Sequence, residues 1–77
     1  MNKLDKFLLK LDKKVRVAIE KTLQQIISGD ILALDVKKLK GKENIYRIRA
    51  GRVRIIFKDS KEGNKIQSIS FRDENTY

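Results

Sequence analysis

Apolar residues in the first thirty positions recur with the period of a helix. Leu4, Phe7, Leu8 and Leu11 fall at i, i+3, i+4 and i+7, which places them on one helical face. Asp12 stands where an N-cap would open a second helix. There Val15, Ala18, Ile19, Leu23, Ile26 and Ile27 continue the same spacing. Gly29 then supplies a stop, because glycine accepts the left-handed conformation that ends helices. The pattern predicts a helical hairpin whose apolar faces need a further surface to cover them.

In the second half the period changes to two. Tyr46, Ile48 and Ala50 alternate with Arg47 and Arg49. After Gly51, Val53, Ile55 and Phe57 alternate with Arg52, Arg54, Ile56 and Lys58. Ser60 to Asn64 reads as a loop, and Lys65 to Arg72 as another strand carrying Ile66, Ile69 and Phe71. Residues 30–44 read as an irregular connection crossing the helix pair, pinned by Leu34, Val36 and Leu39. The order helix, helix, strand, strand, strand predicts an α+β fold: an N-terminal helical hairpin on a small antiparallel sheet of about three strands. Residues 1–77 read as a single domain, with no repeat, linker or low-complexity segment.

Composition narrows the chemistry. The 77 residues include no Cys and no His, which removes thiol nucleophiles, imidazole bases and the commonest zinc ligands. No metal site and no cofactor are expected. Asp73 and Glu74 are adjacent carboxylates, a poor constellation for a cation. No apolar run approaches a membrane span, and the charged N-terminus does not read as an export signal, so a cytoplasmic protein with no membrane partner is expected.

Charge changes the picture most. The formal net charge is +9, from 19 Lys+Arg and 10 Asp+Glu. Residues 31–58 hold nine basic and two acidic residues and carry most of the excess. Lysines come first, at 37, 38, 40 and 42, and arginines follow at 47, 49, 52 and 54. Arginine offers a planar fork of donors suited to phosphate, whereas lysine is a flexible point charge. Arg47 and Arg49 stand on one side of a strand with roots about 7 Å apart, and a turn at Gly51 would bring Arg52 or Arg54 beside them. Two readings are open: a phosphate-binding face, or a half-exposed strand whose outward positions happen to be arginine. Like charges on neighbouring strands repel, and no acidic residue stands between Glu43 and Asp59, which favours an anionic partner.

Leu39-Lys40-Gly41, Tyr46 to Phe57, and the ending Phe71-Arg72-Asp73-Glu74-Asn75-Thr76-Tyr77 resemble the RelE/ParE superfamily of toxins from type II toxin–antitoxin systems. The helical stretch Leu9 to Arg16 is similar as well, and the resemblance spans nearly the whole chain. It implies one of two activities. RelE-like members are metal-independent endoribonucleases that cut mRNA on the ribosome by attack of a 2′-hydroxyl on its own 3′-phosphate. ParE-like members inhibit DNA gyrase. Either kind is neutralised by a cognate antitoxin protein.

The RelE branch is the favoured expectation, with a gyrase inhibitor or a truncated, inactive toxin that only binds its antitoxin as alternatives. By resemblance, Arg47 and Arg54 would clamp the substrate phosphate, with Arg52 nearby. Arg49 and Arg72 would stabilise the transition state, and Tyr77 would stack on a base or transfer a proton. Lys37, Lys38, Lys40 and Lys42 are candidate contacts to the RNA backbone, and Lys3, Lys6 and Lys10 are read as a solvated face. The family opens with a β-strand before its first helix, and that strand is expected to be missing here.

Overall fold

A computed structural model describes residues 3–39, 41 and 43–72. Two helices come first, α1 (Lys3–Leu9) and α2 (Lys13–Ser28). Asp12 caps α2 as its sequence suggests: its backbone is extended and its carboxylate accepts from the Val15 N–H at 3.0 Å. At the other end Gly29 has φ +85°, a region closed to most side chains. It donates to the Ile26 carbonyl, while Asp30 N–H reaches back to Gln25 at 2.9 Å. That pair of bonds is a Schellman closure and satisfies carbonyls the helix would otherwise leave open.

Four strands follow: β1 (Asp35–Lys38), β2 (Ile45–Ala50), β3 (Val53–Ser60) and β4 (Gly63–Phe71). They form one antiparallel sheet in the order β1-β2-β3-β4. The fold is therefore α+β, with four strands rather than about three. The additional strand lies inside the segment read as an irregular connection. Residues 35–38 do not cross the helices; they pair with β2, Val36 opposite Ile48 and Lys38 opposite Tyr46. Four residues with one apolar position among charges carry too little alternation to announce a strand.

The β2–β3 hairpin closes over Gly51 and Arg52 alone, with Ala50 opposite Val53. Gly51 has φ +59° at the first turn position, where two-residue hairpins of this twist need glycine. The β3–β4 connection is also tighter than the sequence suggests. Asp59 still pairs with Asn64, and Ser60 Oγ donates to the Gly63 carbonyl at 2.7 Å, so only Lys61 and Glu62 lie outside the ladder. Farther along, Ile56 faces Ser68 and Phe57 faces Ile66, which leaves Gln67 as a bulge.

One core joins the helices to one sheet face. Phe7, Leu11, Ile19, Leu23 and Ile26 meet Ile48, Val53, Ile55 and Phe57. Phe7 packs on Phe71 with ring centroids 4.8 Å apart, and Tyr46 stacks on Phe57 at 5.4 Å. These contacts make Phe7, Phe57 and Tyr46 packing residues. Asn64 Nδ2 donates to the Ile26 carbonyl at 2.8 Å and ties the start of β4 to the end of α2.

The buried stripe of α2 is narrower than its sequence pattern. Ala18 is exposed, Ile27 is 59% exposed and Val15 40% exposed, while Thr22 is buried and donates to the Ala18 carbonyl. Consecutive helical residues point about 100° apart, so Ile26 and Ile27 cannot both face the sheet. No helix among the described residues is long and apolar enough to cross a membrane.

Candidate nucleic-acid interface

The helices cover the Ile48–Phe57 side of the sheet, and the opposite side holds the arginines. Strand register lays that side out in rows. Asp35, Arg49, Arg54 and Ser70 form one row across the four strands. Lys37, Arg47, Ile56 and Ser68 form the next. Ile45, Lys58 and Lys65 continue it toward the β3–β4 hairpin. Residues directly opposite in an antiparallel pair share a face, with roots about 4.5–5.5 Å apart. Lys37, Arg47, Arg49 and Arg54 are thus brought together on a twisted sheet surface.

Not every basic candidate joins them. Lys38 sits one position along β1 from Lys37, so it points toward the helix side. Arg52 lies in the turn and is exposed. Arg72 follows β4 at the same end: its Nη1 donates to the Gly51 carbonyl at 2.9 Å and its backbone N–H bonds to Arg52 O at 2.6 Å. Arg72 therefore borders the arginine row at the β2–β3 turn, with its guanidinium partly occupied by the backbone. Lys40, Lys42, Asp73, Glu74 and Tyr77 lie outside the described residues.

Asp35 was not singled out by sequence. Its Oδ2 accepts from Arg49 Nε at 3.1 Å, with the two side chains 56% and 38% exposed. It is the one acidic residue in the rows described. The signal that could have exposed it is short: Asp35-Val36-Lys37 alternates polar, apolar, polar before the longer Arg47–Arg49 alternation. Ser68 and Ser70 add hydroxyls along β4 that the sequence reading also passed over.

The arginine heads are not equally engaged. Arg49 gives its Nε to Asp35. Arg47 Nε is shielded from solvent and has no hydrogen-bond acceptor among the described residues. Arg54 Nε is in the same position, although Arg54 interacts through other atoms. A buried donor without an acceptor costs free energy, and a phosphate oxygen would satisfy it. Arg49 and Arg54 stand directly opposite each other, a like-charge pair that an anion would relieve. Among the described residues no group of three or more His, Cys, Asp or Glu side chains could hold a metal ion.

No protein-family model matches this chain, and no curated protein matches its sequence. One solved structure does. A chain from the crystal structure of the RelB–RelE antitoxin–toxin complex of Methanococcus jannaschii superposes with a TM-score of 0.69. The two are 27% identical, over 84% of this chain and 79% of that one. The fold and the likeness together relate this chain to a component of a toxin–antitoxin complex.

Proposed function

We propose that this chain is the toxin of a type II toxin–antitoxin pair, a RelE-like endoribonuclease that cleaves mRNA on the ribosome. The observation that carries the reading is the placement of Arg47, Arg49 and Arg54 on one face of adjacent strands, with Lys37 beside them. The likeness to the RelB–RelE complex supports it. A cognate antitoxin is the protein partner in this reading, and mRNA and ribosomal RNA are the nucleic-acid partners.

The chemistry follows from the side chains. The 2′-oxygen of a nucleotide bonds to its adjacent phosphorus while the bond to the 5′-oxygen of the next nucleotide breaks. The products are a 2′,3′-cyclic phosphate and a free 5′-hydroxyl. Negative charge builds on the non-bridging oxygens as the 2′-oxygen attacks. Arg47 and Arg54 hold the phosphate, and Arg49 and Arg72 stabilise that growing charge through the guanidinium donors not given to Asp35 and to the Gly51 carbonyl. Guanidinium does not give up its proton, so the arginines cannot take the proton from the 2′-hydroxyl. Tyr77 is assigned a stacking contact to a base or that transfer, in which its phenolate oxygen takes the 2′-proton and one proton passes on to the departing 5′-oxygen, so that no net proton is gained or lost. The enzyme needs no metal in this scheme.

Primer extension on mRNA in a translation extract tests the proposal. Wild-type protein should produce discrete breaks, and Arg54→Ala or Arg72→Ala should abolish them. Intact message with accumulation of gyrase-linked, cleaved plasmid would replace this reading with gyrase inhibition. Intact message and intact plasmid would leave a chain that binds its antitoxin without enzymatic action.

A further inference from the structure

The two edges of the sheet are built differently. The β1 edge is four residues long and carries Asp35, Lys37 and Lys38. Short, charged edges resist pairing with other chains. The β4 edge is nine residues long, and among the described residues β4 pairs with β3 alone. From Ile66 to Phe71 it carries no charge and no proline, in a chain that is 38% charged. The bulge at Gln67 lies at one end of this run, so Ser68 to Phe71 stays regular.

A groove of about 680 Å³ runs between α1 and this edge. Leu4, Phe7, Ile66 and Ile69 contribute its apolar lining. Lys3, Lys6 and Lys10 border it, the first two from α1 and Lys10 from the turn just past its end. None of the three ammonium groups has an ion pair or hydrogen bond among the described residues.

We propose that the open edge of β4 accepts an extended strand from a partner protein, one alternating apolar and acidic side chains. An added strand would bond to the outward backbone groups of β4, and its side chains would point alternately to the two sheet faces. Those on the helix side meet Leu4, Phe7 and Ile69 and must be apolar. Those on the other side lie beside Ser68 and Ser70, at the margin of the arginine rows, where acidic residues fit. Acidic residues flanking the strand would meet Lys3, Lys6 and Lys10. A second copy of this chain is the poorer occupant, because it would bring two sets of these lysines together. The inference stands apart from RNA cleavage, since it involves a different edge and a different ligand.

The test uses the full chain and an eight-residue peptide of alternating valine and glutamate, blocked at both ends, followed by amide NMR and hydrogen exchange. Saturable binding with new protection of outward β4 amides is expected. The double variant Lys6→Glu, Lys10→Glu should weaken it by about tenfold, equivalent to about 1.4 kcal/mol. Methylating alternate backbone nitrogens of the peptide keeps its side chains and should abolish binding, with no demand on the folding of a variant. A valine–lysine peptide should not bind. Absence of binding, binding that maps to Arg47 and Arg54, or β4-mediated self-association without peptide would each overturn the proposal. None of these measurements involves RNA, so their failure is separate from failure of the nuclease reading.

Discussion

Asp35 holds Arg49 by a single bond, Oδ2 to Nε at 3.1 Å, and so places a negative charge at the end of the arginine row. Both side chains are more than a third exposed, and solvent screens such pairs strongly. Asp35→Asn should therefore change unfolding free energy by less than about 1 kcal/mol. Its effect on ligand binding should be larger and opposite in sign to most substitutions. Removing the carboxylate from this face should tighten binding to single-stranded RNA. Fluorescence anisotropy at fixed salt, alongside urea denaturation, would check both halves.

Arg47 presents a trade between stability and binding. Its Nε is buried without an acceptor among the described residues, which costs about 1–3 kcal/mol in typical cases. Arg47→Met keeps much of the stem and removes the donor. The variant should be more stable by about 1 kcal/mol, visible as a rise of about 4–8 °C in Tm for a chain this size. Its affinity for single-stranded RNA should fall, and the slope of log K against log salt should become shallower by about 0.7. A fall in Tm together with unchanged RNA affinity would contradict the role given to this residue.

These two residues mark where the sequence was legible. Arg47 and Arg49 alternate with Tyr46, Ile48 and Ala50 over a full strand, and that alternation is enough to place them on one face. Gly51 reveals the hairpin, and register then brings Arg54 across from Arg49. Asp35 is different: it reaches the site through a four-residue strand that only the Arg49 side can reveal. Local periodicity carries no information about which distant segment pairs with an edge. The bulge at Gln67 is hidden for the same reason, since it is a property of two strands together. Nor could hydropathy alone separate Ile26 from Ile27, because direction on the helix decides burial there.

The helix cap is a simple stability test. Asp12→Ala removes the acceptor for the Val15 N–H and should cost about 1 kcal/mol, leaving RNA affinity unchanged. Asp12→Ser or Asp12→Asn should restore most of the loss. Thermal denaturation of the three variants in parallel would separate the hydrogen bond from the charge.

Ile48 and Ile55 lie opposite each other, fully buried, beneath the arginine row. Ile55→Val should cost about 0.5–1.5 kcal/mol, and Ile55→Ala about 2–5 kcal/mol. The milder change is the more useful one. If the face above depends on a rigid floor, Ile55→Val should lower RNA affinity only slightly and cleavage more, measured at a temperature where the variant is fully folded.

The strand order has a consequence for how the molecule assembles. Every strand pairs with its neighbour in sequence, so each ladder closes over a short loop and loses little chain entropy in doing so. Such local topologies fold quickly. The helices are the exception: they precede all four strands in the sequence and lie nearest β4, while their apolar side chains also reach Ile48 of β2 and Val53, Ile55 and Phe57 of β3. The hairpin bearing Arg47, Arg49 and Arg54 is thus complete in the chain before β4 can finish the cover of α1 and α2. During synthesis the basic face can take shape while the apolar faces of both helices still await the part of their cover that β4 supplies.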